Sequence, residues 1–210
     1  MEDAAVFSKY RGGNMMATAI ILAGGKSSRM GTNKALLPIE GKAVIEVIKE
    51  TLTPFFSDLL LVTNDFPTFE FLEIPMVKDV YVGKGPLSGI HTGLENSKSD
   101  LNLFVACDMP FVSGELANHL VNLCRHYDAV IPNINGKLHP LFSVFRKSTL
   151  AKVEQCLQED RLRMKDLLEE LQVLYVNELE IQNVVVGNIE KIFYNMNYPL
   201  EYQKAKRGEI

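Results

Sequence analysis

From residue 17 onward, short uninterrupted apolar runs alternate with stretches whose apolar residues recur every three or four positions. That pattern predicts strand-helix units around a mostly parallel sheet. The runs Ala17 to Leu22, Asp58 to Thr63, Met76 to Lys78, Leu101 to Ala106, Ala129 to Pro132 and Leu141 to Phe145 predict strands. Between them, Lys42 to Leu52 predicts a helix through the stripe Val44, Ile45, Val47 and Ile48, and Pro54 stops it. Pro86 to Asn96 predicts a second, with Pro86 in the first turn, where its missing N–H costs nothing. Ser113 to His126 predicts a third, capped by Ser113 and carrying Leu116, Leu120 and Leu123 on one face. The pair Asn135-Gly136 predicts a hairpin turn, so an antiparallel excursion interrupts the parallel order. Helices over Ser148 to Gln158 and Met164 to Gln172 follow, then strands over Leu174 to Val176, Val184 to Val186 and Ile192 to Tyr194, and a short last helix over Pro199 to Lys206. The expected architecture is a three-layer α/β/α sandwich forming one domain over residues 16–210, after a disordered extension over residues 1–15, with Met15 or Met16 as an alternative start.

Composition narrows the function classes. Lys and Arg total 22 against 26 for Asp and Glu, a net charge of -4, where a nucleic-acid binder usually shows a basic excess. Cys107, Cys124 and Cys156 lie far apart with no metal-ligand spacing, which argues against a structural zinc site or a disulfide framework and fits a reducing cytoplasm. Lys9 and Arg11 before the apolar run from Met15 to Ala23 loosely imitate a secretion signal. The run is short, contains Thr18 and leads into a Gly-rich polar turn, as a buried first strand does. No other run approaches the roughly 18 apolar residues of a membrane span.

The chemistry concentrates after two of the strands. Leu22-Ala23-Gly24-Gly25-Lys26-Ser27-Ser28-Arg29-Met30-Gly31-Thr32-Asn33-Lys34 follows the first. Its glycines let the backbone approach an anion, and Arg29 and Lys34 add two cations, as a bound triphosphate needs when charge moves onto a departing pyrophosphate. The spacing is neither that of a Walker loop nor that of a dinucleotide-binding turn. An exposed basic turn is the plain alternative. The second motif, Cys107-Asp108-Met109-Pro110, follows Leu103 to Ala106. Residues just past the carboxyl ends of parallel strands face the ligand crevice, so Asp108 projects where the first loop opens. One or two carboxylates, with phosphate oxygens and water, suffice for Mg2+. The alternative is an aspartate that merely caps a turn.

Together these residues resemble the nucleotidyltransferases of the molybdenum-cofactor guanylyltransferase family, MobA, whose loop reads LAGG-x-S-x-RMG-x-x-K. Leu22 to Gly25, Ser28, Arg29 to Gly31 and Lys34 match it in order; Gly85-Pro86-Leu87 with Gly89, Cys107-Asp108-Met109-Pro110, His139-Pro140 and Asn195-Met196-Asn197 before Pro199 match further elements. The resemblance implies a nucleotide-diphospho-sugar transferase-like fold. It also implies transfer of GMP from GTP to a molybdopterin-type cofactor, with release of pyrophosphate and a molybdoenzyme or cofactor-delivery protein downstream. Leu22, Ala23, Gly24, Gly25 and Lys34 would then bind GTP, Asp79 and Asn64 would lie against the nucleotide, and Asp108 would hold it through Mg2+. Asp79 also ends a strand on the presumed ligand edge, where it can accept hydrogen bonds from ribose or base. On the acceptor side the resemblance implies His139 as a shaper of the pocket and Arg161 and Arg163 as holders of the acidic pterin, with a solvated charge run as the bland alternative for the arginines. Asn195 and Asn197 would assist at the metal. Rival readings are cytidylyl or another nucleotidyl transfer onto a related phosphate acceptor, and a non-catalytic cofactor carrier. Neither nucleic acid nor membrane is expected as a partner.

Overall fold

A computed structural model describes residues 17–24 and 33–210. The predicted extension over residues 1–15, and Gly25 and Arg29 of the glycine-rich loop, lie outside the described residues.

The chain runs β1 (Ala17–Leu22), β2 (Pro38–Ile39), β3 (Lys42–Ala43), α1 (Val44–Leu52), β4 (Asp58–Val62), α2 (Phe66–Phe69), β5 (Met76–Val77), α3 (Pro86–Asn96) and β6 (Leu101–Ala106). It continues with α4 (Gly114–Leu123), β7 (Ala129–Ile134), β8 (Lys137–Leu138), β9 (Phe142–Arg146), α5 (Leu150–Gln158), α6 (Met164–Leu168), β10 (Val173–Asn177), α7 (Glu178–Gln182), α8 (Ile189–Ile192) and α9 (Pro199–Arg207). Eight strands form the main sheet in the order β10-β7-β9-β6-β1-β4-β5, with β8 hairpinned onto β7. β5, β4, β1 and β6 pair in parallel, β9 lies antiparallel between β6 and β7, and β10 returns parallel to β7.

Every residue of β1 and of β6 is buried, because helices cover both faces. Alternation divides the side chains: Ala17, Ala19 and Ile21 join Leu103 and Val105 under α1 and α4, whereas Ile20, Leu22 and Phe104 pack under α3 and α5. The result is the expected three-layer sandwich. From β1 the chain winds outward through β4 to β5, then crosses back by α3 to lay β6 on the other side of β1. The order therefore reverses between β1 and β6, and loops leaving their carboxyl ends open a crevice at that switch point.

Several predicted elements move. The helix of Lys42 to Leu52 begins at Val44, because Lys42 and Ala43 pair with Pro38 and Ile39 in a small hairpin. Ser113 to His126 is helical only over Gly114–Leu123, and Met164 to Gln172 only over Met164–Leu168, since Gln172 already hydrogen-bonds Asp128 at the entry to β7. The strands predicted over Val184 to Val186 and Ile192 to Tyr194 do not form. Val184 to Val186 instead follow α7 as an irregular turn, in which Val184 N and Val185 N donate to Ile181 O, and Asn188 caps the helix that ends at Ile192. The Asn135-Gly136 turn forms as predicted, with both residues at positive φ, 51° and 75°. Among the described residues no helix is long and apolar enough to cross a membrane.

Gly93 marks where α3 approaches the sheet most closely: a Cβ there would stand 2.7 Å from the Phe104 ring and 2.9 Å from an Ile20 methyl carbon. Both neighbours sit on central strands and cannot withdraw. Gly93→Val is expected to lower unfolding free energy by about 1–3 kcal/mol through overpacking, read as a lower urea midpoint at unchanged slope.

Candidate active site

Two backbone bonds prolong the parallel pairing beyond the strand ends. Ala23 N donates to Val62 O at 2.9 Å and Cys107 N donates to Leu22 O at 3.1 Å. The first residues of the β1 and β6 loops thus leave the sheet side by side. When the first loop returns, the Asn33 side chain accepts from Ala35 N at 3.1 Å and caps one turn of 3-10 helix over Lys34–Leu36. Fully buried Ala35 anchors that turn, which aims Lys34 at the crevice.

There the Lys34 Nζ stands 3.7 Å from Asp108 Oδ2 and donates to Asn197 Oδ1 at 2.9 Å. The lysine and aspartate side chains keep only 17% and 23% of their exposure, so their interaction is less screened than that of a surface pair. Burial raises the Asp108 pKa above the ordinary carboxylate value, while Lys34 and a hydrogen bond to its own backbone N–H oppose the rise. The neighbouring Cys107 thiol is pushed up to about 12, chiefly by burial and then by Asp108, so it stays protonated and unreactive.

The third strand of this cluster comes from late in the chain. Met196 N donates to Asp108 O at 2.9 Å, laying the 195–198 segment against the β6 loop. The Glu201 carboxylate, at the third position of α9, accepts from Asn197 N and, at 2.8 Å, from Tyr198 N. That cap fixes the backbone from which Asn197 reaches Lys34. Of the two asparagines expected to assist at a metal, Asn197 lies beside Asp108 and grips the lysine, and Asn195 turns back to donate to Phe193 O at 3.3 Å. Glu201 escaped the sequence reading, although Pro199 followed two residues later by a glutamate is a helix-start signal.

A second cluster lies farther along the same edge. Asn64, after β4, accepts from Asp79 N at 3.2 Å, so the two residues predicted to face the nucleotide do meet. Asp79 Oδ1 accepts from the Ser88 hydroxyl and lies 3.5 Å from the Thr92 hydroxyl, both on α3. Neither hydroxyl was singled out from sequence; two such residues four apart in the first turns of a helix were the available signal.

The acceptor-side residues divide. His139 is buried against Phe193, ring centroids 4.5 Å apart, and its backbone N–H donates to Pro132 O. Arg161 is engaged by Glu159 and Glu170, so its guanidinium is already neutralised, whereas Arg163 is exposed at the start of α6. Because α5 runs back from β9 towards the carboxyl ends of the parallel strands, the turn that carries both arginines lies on that side of the sheet. The bond between Lys84 and Asp160 ties their turn to the loop that precedes α3.

For a divalent cation the described residues offer Asp108 and no cluster of three or more His, Cys, Asp or Glu side chains. A lone, partly buried carboxylate fits a hard ion that arrives with a triphosphate and keeps phosphate oxygens and water as its other ligands.

Comparison with known proteins gives the chain a family. Residues 19–174 match the family model of the MobA-like NTP transferase domain. A relative from Pelotomaculum thermopropionicum, called a probable molybdenum cofactor guanylyltransferase, is 34% identical over 91% of this chain and 93% of its own length. One of the same name from Carboxydothermus hydrogenoformans is 36% identical over 89% of this chain and 93% of its own. The crystal structure of molybdopterin-guanine dinucleotide biosynthesis protein A from Archaeoglobus fulgidus superposes with a TM-score of 0.79 at 26% identity, covering 92% of this chain and all of that one.

Burial, aided by Lys137, lowers the His139 pKa from 6.5 to about 4. The fold therefore favours the neutral ring. Above pH 6.5 His139 costs nothing; as pH falls from 6.5 towards 4 the unfolded chain takes up the proton first and stability is lost. His139→Gln should flatten the fall in urea midpoint between pH 7 and pH 5, whatever its effect at pH 7. An unchanged slope would show that other groups govern the acid limb.

Proposed function

The chain belongs to the family of MobA-like NTP transferase domains, and from that membership we propose that it transfers GMP from GTP to the phosphate of a molybdopterin-type cofactor. The relatives matched over about nine-tenths of the chain are called probable molybdenum cofactor guanylyltransferases. The observation that carries the reading to particular residues is the meeting of Lys34, Asp108 and Asn197 at the sheet's switch point.

In this reading the β1 loop, with Leu22, Ala23, Gly24 and Gly25, receives the triphosphate, and Arg29 and Lys34 bear its charge. Lys34 already faces a carboxylate across the crevice, so it is held ready for the phosphates. An oxygen of the acceptor phosphate forms the new bond to the α-phosphorus of GTP, and the bond from that phosphorus to the bridging oxygen breaks. Pyrophosphate leaves with the electron pair, and Lys34 and Arg29 stabilise it. The acceptor phosphate is largely ionised near neutral pH, so no general base is required, in keeping with an unreactive Cys107 and a buried His139. Mg2+, held by Asp108, would supply charge neutralisation on the phosphates. Asp79 and Asn64 face the nucleoside, and Arg163, with Arg161 beside it, faces the anionic cofactor from the other side of the crevice. The reaction is placed in the cytoplasm, where a recipient molybdoenzyme or a delivery protein would take the product.

The test is pyrophosphate release from GTP, molybdopterin and Mg2+. Asp108→Ala is expected to keep the wild-type circular dichroism and lose about two orders of magnitude or more in rate. Near-wild-type turnover by that variant at saturating Mg2+ would discard the metal role. Base choice is read separately: GTP with Mg2+ should raise the melting temperature more than ATP, CTP or UTP does. A larger shift with CTP would replace guanylyl by cytidylyl transfer.

A further inference from the structure

Asp79 is more tightly framed than a strand-end aspartate needs to be. Ser88 and Thr92 are fully buried, one helical turn apart on the inner side of α3. Each hydroxyl makes two contacts with the 79–81 loop. Ser88 Oγ donates to Asp79 Oδ1 and accepts from Tyr81 N at 3.2 Å. Thr92 Oγ1 lies 3.5 Å from the same carboxylate oxygen and accepts from Val80 N at 3.2 Å. With Asn64 accepting from Asp79 N at 3.2 Å, the residue is held at its backbone and at one carboxylate oxygen. Among the described residues Oδ2 has no hydrogen-bond partner.

The local sequence explains the arrangement. β5 is only two residues long, so the chain leaves the sheet at Lys78 and must reach α3 without a ladder to support it. Val80 and Val82 are 59% and 74% exposed, so apolar packing holds that loop only through Tyr81, which meets the His91 ring of α3 edge-on. Gly83 and Gly85, at φ of 85° and 71°, let it turn into the helix. The two hydroxyls supply the missing supports. A carboxylate with one oxygen held by the Ser88 hydroxyl, and flanked at 3.5 Å by that of Thr92, is restrained about its Cβ–Cγ bond and presents the other oxygen in one direction. Its partners cannot rotate either, being buried on a helix.

We infer that Ser88 and Thr92 are positioning residues for nucleotide binding: they hold Asp79 by one oxygen so that the other is presented to the nucleoside of GTP. This rests on the reading that Asp79 contacts the nucleotide. The hydroxyls touch no substrate and act only through the carboxylate. Without them Asp79 would pay the entropy of being ordered at each binding event.

The experiment is a double-mutant cycle on the intact protein, with GTP dissociation measured by calorimetry in Mg2+ and turnover measured alongside. Ser88→Ala combined with Thr92→Val should raise Kd and KM for GTP about tenfold, with the loss in KM rather than kcat. Ser88→Thr and Thr92→Ser, which keep the hydroxyls, should restore wild-type binding. In an Asp79→Asn background the same removal should add less than about twofold, because its partner is already altered. A further tenfold loss there would overturn the inference, since the hydroxyls would then act independently of Asp79, as would a loss confined to kcat. If Asp79→Asn alone binds GTP like the wild type, the underlying reading of Asp79 fails, and that outcome is visible before any serine or threonine is changed. Should the double variant not fold, Thr92→Val alone carries the same comparison.

Discussion

The parallel pairing of β1 with β6 is the constraint from which the site follows. Those strands come from opposite ends of a long excursion through β4, β5 and α3, yet Leu22 stands beside Ala106 in register. A single bond past the strand ends, Cys107 N to Leu22 O, then starts both loops from the same line. A slip of one residue would turn every side chain of β6 to the wrong face, so burial of both faces enforces the register. Lys34 and Asp108 meet because the sheet allows their loops no other origin. The cost is a pair of opposite charges in a partly dehydrated crevice, and Asn197 and backbone N–H groups offset it with hydrogen bonds.

Around that line the molecule uses small residues to bring layers together and late residues to secure them. Gly93 lets α3 lie against Ile20 and Phe104, which draws Ser88 and Thr92, on the same helix, up to Asp79. The capping glutamate of α9 does the corresponding work for Asn197. The first support reaches Asp79 from a helix beyond its own strand, whereas the second comes from the helix directly after the segment that carries Asn197.

Much of the fold could be read from periodicity, because strands buried on both faces appear as unbroken apolar runs. β1 and β6 were located to the residue for that reason. The same signal misled after residue 180, where Val184 to Val186 is apolar without being a strand: its first two N–H groups are taken by Ile181 O in the turn that ends α7, so no ladder forms there. In the site, Lys34 and Asp108 were legible because glycines and strand ends flag them. The grip of Asn197 on Lys34 was not, since a contact across 163 residues leaves no local pattern. Ser88 and Thr92 were illegible for a related reason: a hydroxyl on a helix reads as a neutral surface residue until the fold sets an acid against it. Arg161 showed the converse, because nothing in its own stretch announced that Glu170 would neutralise it.

That same 163-residue span bears on how the molecule comes into being. Contacts between neighbouring strand-helix units are rewarded early, whereas closing so long a loop is repaid only once both of its ends are in place. A half-formed molecule can therefore own most of its sheet while the Lys34 ammonium, already set beside Asp108, still lacks the grip of an amide that arrives last.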